Sequence, residues 1–111
     1  MAYKAIHRYA RIAPRKARLV AALIRGKQVD DAMVQLDISK KRGAWFLKAV
    51  LKSAIANAEE RDADRRYLFV TESRVDEGPT MKRFQPKDRG RAHSIMKRTS
   101  HLVIAVDEKE A

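Results

Sequence analysis

The chain has 111 residues, enough for one domain, and carries 25 Lys and Arg against 14 Asp and Glu, for a formal net charge of +11. This excess of positive charge indicates a polyanionic partner, with RNA, DNA and an anionic membrane surface as the candidates. Cysteine is absent, which excludes disulfides, thiol catalysis and cysteine-bound metals. No apolar run is long enough for a membrane segment, and the N-terminus lacks the apolar core of a signal peptide. We therefore expect a single soluble, cytosolic domain over residues 1–111.

The charge is unevenly distributed along the chain. Residues 1–29 hold eight basic and no acidic residues, whereas residues 30–77 hold nine basic and ten acidic ones. Residues 78–98 hold seven basic residues and one acid, and residues 99–111 hold one basic and three acidic residues. A surface that serves only solubility would mix the two signs. The two basic blocks, 1–29 and 78–98, therefore predict a binding footprint in two parts.

The chain begins with a predicted strand and a predicted helix. Side chains alternate over Tyr3 to Arg11, which predicts the strand. Pro14 suits the first position of a helix, where its missing N–H would be unpaired anyway. Apolar residues follow at helical spacing, and Gly26 is a natural helix end. The first helix is therefore expected at about 14–25.

Two further helices are predicted in the middle of the chain. A short one begins near Val29, with acidic residues in its first turn. A longer one has Ser39 as its expected N-cap and an apolar face that continues to Ala58. Trp45 and its neighbour Phe46 are expected in the core or at its edge rather than as stacking platforms. Asn57, inside the same helix, faces either a polar partner or a neighbouring loop.

The C-terminal half changes from helical spacing to a period of two. This alternation predicts strands at about 66–77 and 97–106. Three strands and three helices in this order predict an α+β domain, a small three-stranded antiparallel sheet packed on three helices. The segment between the last two strands, about 78–98, has few apolar residues and is too long for a loop of a compact domain. Because its flanking strands can pair, it is expected to form a long extended β-hairpin arm.

No catalytic or metal-binding pattern is recognisable. The three histidines, His7, His93 and His101, have no partner at ligand spacing. No nucleophile motif occurs, and no glycine-rich loop joins a strand to a helix as a nucleotide-binding loop would. We expect no catalytic residue, no metal and no cofactor.

Five segments resemble one known family, the universal L22 family of large-subunit ribosomal proteins, over about residues 5–106. They are DEGPTMKR at 76–83, RGRA at 89–92, KRTSH at 97–101, PRKARLV with IRGK at 14–27, and SAIANAE at 53–59. The resemblance implies a structural, non-enzymatic protein of the cytoplasmic ribosome, on the outer face of the large subunit near the mouth of the peptide exit tunnel. It implies 23S-type ribosomal RNA, neighbouring large-subunit proteins and the nascent peptide as partners.

The resemblance also assigns roles to residues. The residues expected to bind ribosomal RNA are the cations of the two basic blocks other than Lys4, with a threonine and a histidine after the arm: Arg8, Arg11, Arg15, Lys16, Arg18, Arg25, Lys27, Lys82, Arg83, Lys87, Arg89, Arg91, Lys97, Arg98, Thr99 and His101. The tip expected to line the tunnel is Lys87, Asp88, Arg89, Gly90, Arg91 and Ala92. The family usually has Arg and a small residue where this chain has Lys87 and Asp88.

Two other classes of protein compete with this interpretation. The first two helices, separated by Gly26, would allow a DNA-binding regulator of helix-turn-helix type. The acidic start of the second helix argues against it, because a recognition helix usually meets DNA with that end. An RNA-modifying enzyme is disfavoured by the lack of any catalytic motif.

Overall fold

The computed structural model describes residues 2–87 and 91–109. Its elements, in chain order, are β1 (Tyr3–Ala10), α1 (Pro14–Ile24), α2 (Val29–Ile38), α3 (Arg42–Glu60), a short 3-10 turn (Arg65–Tyr67), β2 (Leu68–Glu77), β3 (Met81–Lys87), β4 (Arg91–Lys97) and β5 (Ser100–Glu108). An antiparallel sheet of order β1-β5-β2 packs against the helices, and β3 pairs with β4 in a second sheet. The predicted α+β class, with three helices and a three-stranded antiparallel sheet, is confirmed.

The core lies between the helices and one face of the three-stranded sheet. Leu47, Leu51 and Ala54 of α3 are fully buried at helical spacing, and Leu102 and Ile104 of β5 are fully buried at strand spacing. These periods match the two kinds of element, so each presents one apolar face to the other. Among residues 2–87 and 91–109, no helix is both long and apolar enough to span a bilayer.

The end of α1 confirms the role predicted for Gly26. Its φ of +80° lies in the left-handed region, which glycine adopts without steric cost. The Gly26 amide donates to Val70 O at 2.9 Å. The reversal after α1 is therefore tied to β2.

The start of α3 differs from the prediction. Lys41, not Ser39, occupies the N-cap position, and no side chain caps this helix start. Ser39 is instead the C-cap of α2, and its Oγ accepts a hydrogen bond from the Lys41 amide at 3.4 Å. Because α2 continues to Ile38, the hydroxyl of Ser39 is used in the link between the helices and α3 begins three residues later.

Three one-residue offsets interrupt the strand pairing within residues 2–87 and 91–109. His7 pairs with Leu102 but Ala10 with Ser100, so β1 has one residue more than β5 in this interval. The extra residue falls beside Tyr9, whose φ of 58° is left-handed. A second offset lies in β2 just after Val70. Such bulges increase strand twist and re-aim the side chains beyond them.

The third offset lies where the arm leaves the domain. Glu77 pairs with Ser100 and Met81 pairs with Lys97, which are four steps along one strand and three along the other. Here the Gly78 amide donates to Thr99 O at 3.0 Å. Beyond this point the arm consists of seven residue pairs, from Met81–Lys97 to Lys87–Arg91. At about 3.4 Å per step, these strands extend about 20 Å.

Candidate nucleic-acid interface

A groove of about 670 Å³ opens at the base of the arm and is lined by six cationic side chains. We call it the basic groove and define it by its lining residues: Arg11, Ile12, Ala13, Lys16, Leu19, Lys41, Arg42, Gly43, Lys97 and Arg98. The cations come from three distant parts of the chain, namely the start of α1, the start of α3 and the end of the arm. Both predicted basic blocks therefore contribute to one surface.

The fold brings these three segments together at the junction of β1, α1 and β5. Ser100, the first residue of β5, is fully buried, and its Oγ donates to Ile12 O at 2.6 Å. This bond holds the link between β1 and α1 against the strand that continues from the arm. Lys97 and Arg98 consequently lie near Arg11 and Lys16, although more than 80 residues separate them in sequence.

Lys41 and Arg42 were missed by the sequence analysis. They lie in segment 30–77, whose net charge of −1 hid them. The available signal was the run Lys40-Lys41-Arg42, three consecutive basic residues within a nearly neutral stretch. Lys41 and Arg42 come to lie beside the N-terminal basic block only because α3 packs against the loop before α1.

The groove cations differ from Arg65, Arg66 and Arg74 in lacking acidic partners. Within the described part of the chain, none of the six has an Asp or Glu oxygen within salt-bridge distance. By contrast, Arg65 pairs with Asp30 at 2.8 Å, and Arg74 pairs with Glu72 and Asp76. Six unpaired like charges around one groove repel each other, so a bound polyanion is favoured.

Arg66 shows what an acidic neighbour does to such a cation. Its side chain and backbone amide both donate to Asp64, and these hydrogen bonds lower the pKa of that carboxyl below its usual 3.8. The same pairing raises the pKa of Arg66. The positive charge of Arg66 is thus balanced locally, whereas the charge of the basic groove is not.

An aromatic cluster formed by His7, Phe46 and Trp45 lies beside Arg42, one of the groove cations. The His7 and Phe46 rings meet edge to face with centroids 5.7 Å apart, and the Phe46 and Trp45 rings do so at 4.9 Å. The guanidinium of Arg42 lies 5.5 Å from the Phe46 centroid, a cation–π distance. As expected from the sequence, Phe46 is in the core, but Trp45 is 72% exposed and lies outside it.

The family model for ribosomal protein L22p/L17e matches residues 5–107 of the chain. The chain belongs to this family. It is therefore a ribosomal protein with a structural role rather than an enzyme.

Curated relatives agree with this assignment to the L22p/L17e family. The large ribosomal subunit protein uL22 of Protochlamydia amoebophila is 57% identical over 104 residues, covering 93% of this chain and 94% of that protein. The protein of the same name from Thermoanaerobacter sp. strain X514 is 53% identical over 111 residues, covering 99% of this chain and all of that protein. The similarity therefore extends over the domain and the arm alike.

Among the RNA-binding residues predicted for this L22p/L17e member, Arg18 and Arg25 contact the protein itself. Arg18 donates to Val75 O at 3.1 and 3.3 Å, and Arg25 donates to Ser73 O at 2.7 Å. Both side chains connect α1 to the main chain of β2. The remaining predicted cations of the first block outside the groove are exposed; they are Arg8, Arg15 and Lys27.

Thr99 and His101 also make contacts within the protein. Thr99 is 4% exposed, and its Oγ1 donates to Pro79 O at 2.7 Å. His101 is half-buried, its Nδ1 accepts from the Tyr9 amide at 3.1 Å, and its ring meets the Tyr9 ring edge to face. These two residues therefore organise the base of the arm and the bulge in β1.

The arm residues are placed by their backbone positions. Lys82, Arg83 and Lys87 lie on β3, and Arg91 and Ala92 lie on β4 opposite Lys87 and Pro86. The predicted tip residues Asp88, Arg89 and Gly90 lie outside the described residues.

Of the two alternatives for Asn57, a polar partner or a neighbouring loop, the structure shows a polar partner. Its Nδ2 donates to Lys4 O at 3.0 Å, so Asn57 joins α3 to β1.

Proposed function

We propose that this protein is a structural constituent of the large ribosomal subunit in the cytoplasm, where it binds large-subunit ribosomal RNA and aids subunit assembly. Family membership supports the ribosomal role. One observation supports RNA as the ligand of a particular surface: six unpaired cations from three segments meet in the basic groove. A protein that needed only solubility would not concentrate them there.

The proposed action is electrostatic and architectural. Phosphates of an RNA strand lie in the basic groove, where arginine forks and lysine ammonium groups neutralise them. Each neutralised phosphate releases condensed counterions, so the affinity falls steeply as salt rises. Contacts of this kind fix the position of RNA without reading its sequence. RNA segments that would otherwise repel each other can then be held against one protein domain.

The arm is proposed to extend this contact into the folded ribosomal RNA. Its predicted tip, Lys87 to Ala92, would line the peptide exit tunnel and meet the nascent peptide, as the family resemblance implies. The contact of the arm with RNA is supported by its strand pairing, since β3 pairs only with β4 among the described strands. An isolated two-stranded hairpin of this kind is at best marginally stable in water, so a surrounding partner would stabilise it. A hairpin rich in cations is stabilised when a polyanion surrounds it.

The helix-turn-helix regulator is less well supported. Asp30 and Asp31 lie in the first turn of α2, and Asp30 is paired with Arg65. The amides of both acidic residues donate to Gln28 Oε1, at 2.8 and 3.4 Å. The end of α2 that would have to enter the major groove is therefore acidic, and its amides are already bonded within the protein.

Matched double variants test the groove. Lys41→Gln/Arg42→Gln removes two groove cations, and Lys52→Gln/Arg66→Gln removes two exposed cations outside the groove. Affinity for purified large-subunit ribosomal RNA would be measured by filter binding over a series of salt concentrations. We expect the groove variant to bind more weakly and the slope of log affinity against log salt to fall by about 1.4 to 1.8, and the control to match wild type.

Two results would contradict the proposal. Equal losses in both variants would mean that net charge rather than the groove governs binding. An affinity of the wild type that does not respond to salt would reject electrostatic RNA binding altogether. Sedimentation of the tagged protein after low-salt and high-salt washes provides a cellular check: it should remain with large subunits, whereas a DNA-binding regulator would remain with the nucleoid.

A further inference from the structure

We infer that the indole of Trp45 is a stacking platform for an unpaired base of the RNA whose phosphates lie in the basic groove. This inference rests on the proposed RNA binding and adds a second kind of contact to it. Trp45 is 72% exposed, whereas a large aromatic side chain in a folded domain usually buries most of its surface. Its neighbour Phe46, on the same helix, follows that rule.

Trp45 is held in place by the aromatic cluster. Its ring rests against Phe46 at 4.9 Å and an interplanar angle of 76°. Phe46 is itself buried, and His7 of β1 supports it from a second element at 5.7 Å. A ring fixed against the core loses little conformational freedom when a ligand covers it, which favours tight stacking.

The positive charge near Trp45 favours a nucleic acid over an apolar partner. Arg42 lines the basic groove and also lies over Phe46. Because Arg42 and Trp45 are three positions apart on α3, their Cβ atoms are neighbours at about 5–6 Å. A cation that faces phosphate next to an exposed aromatic plane is the pairing by which proteins bind unpaired nucleotides. The net charge of +11 opposes a second copy of this chain as the occupant.

Variants of Trp45 separate stacking from phosphate binding. Trp45→Ala should weaken binding of the full-length protein to large-subunit ribosomal RNA at least about fivefold, and Trp45→Phe should lose less. Neither changes a charge, so the salt slope should stay at the wild-type value, unlike that of Lys41→Gln/Arg42→Gln. Ile38→Ala is the matched control, because Ile38 is 67% exposed and lies outside both the groove and the aromatic cluster.

Trp45 is also the only tryptophan in the sequence, so its fluorescence reports on this position alone. Ribosomal RNA should quench the emission with the same midpoint as binding. Inorganic polyphosphate, which offers charge without bases, should compete for the groove and leave the emission nearly unchanged.

Three outcomes would overturn the inference while leaving the proposed function intact. They are an affinity of Trp45→Ala within twofold of wild type, equal quenching by polyphosphate and RNA, or an emission change produced by added large-subunit proteins but not by RNA. A wild-type protein that shows no salt-dependent RNA binding would instead reject the proposed function, and the stacking inference would fail with it.

Discussion

The packed domain and the arm are built by different rules. In the domain, β1, β5 and β2 bury one face against three helices, and several surface cations are paired with acids. In the arm, β3 and β4 pair with each other and with no other strand of the described chain. The free energy of folding therefore comes mainly from the domain, because a two-stranded hairpin adds little stability in water.

The boundary between the two regions matters most for function. Lys97 and Arg98 leave the arm and line the basic groove together with cations of the domain. Thr99, the next residue, is buried and holds the turn at Pro79. Arg98, which lines the groove, and Thr99, which anchors the base of the arm, are thus consecutive residues. Substitutions on either side of this boundary should separate the two roles.

The largest effect is expected from a cavity in the domain. Leu51→Ala removes a fully buried side chain of α3 and should destabilise the protein by about 2–5 kcal/mol. Leu23→Ala, at an exposed position of α1, should change the free energy of unfolding by no more than about 0.5 kcal/mol. Urea unfolding measures both. Similar losses in the two variants would mean that the stability does not reside in this core.

The base of the arm should be the next most sensitive region. A Cβ at Gly78 would lie 2.4 Å from Thr99 Oγ1 and 3.3 Å from the Thr99 main chain. We expect Gly78→Ala to cost about 1–3 kcal/mol, because the threonine must move and release Pro79. Thermal unfolding of Gly78→Ala, Thr99→Ala and the double variant would show the coupling. Strictly additive losses would contradict the clash.

Arg25 should contribute to stability as well as charge. Arg25→Ala removes the bond to Ser73 O and should cost about 1 kcal/mol. Arg15→Ala, which removes the same charge from an exposed position of α1, should leave the unfolding midpoint almost unchanged. If both variants lose the same stability, net charge rather than the connection between α1 and β2 is responsible.

Excision of the arm should have the smallest effect on folding. Replacing residues 82–96 by Asn-Gly lets Met81 and Lys97 close a two-residue hairpin and retains the groove and Thr99. Unfolding free energy should change by about 1 kcal/mol or less, while affinity for ribosomal RNA falls. Loss of the native circular dichroism spectrum would instead show that the arm belongs to the folding unit.

The sequence predicts those features that depend on local patterns. The period of side chains predicts every strand and helix of the domain, and Pro14 and Gly26 mark the bounds of α1. It does not predict that Ser39 ends one helix rather than starting the next, because a hydroxyl can cap either end of so short a link. Local sequence patterns therefore predict the helices and strands themselves, but not how the link between two helices is capped.

The basic groove depends on tertiary packing and so could not be predicted as a unit. Charge counts identify Arg11, Lys16, Lys97 and Arg98, but not their proximity to Lys41 and Arg42. Thr99 and His101 show a second limit, since the sequence does not reveal that these two residues, predicted to bind RNA, also make hydrogen bonds within the protein. These hydrogen bonds join residues that are distant in sequence, so they can be identified only once the register of the strands is known.

The one-residue offset beside Gly78 has a consequence for how the arm can change in length. Because successive residues of a β-strand face opposite sides of the sheet, one residue added to each strand would lengthen the arm by about 3.4 Å and turn its far end over. Two added to each strand lengthen it by about 7 Å and keep the same face outward. Insertion into one strand alone would need a further bulge like that between Glu77 and Met81. The length of the arm and the face that its far end presents therefore change together: an odd number of residues added to each strand reverses that face, and an even number keeps it.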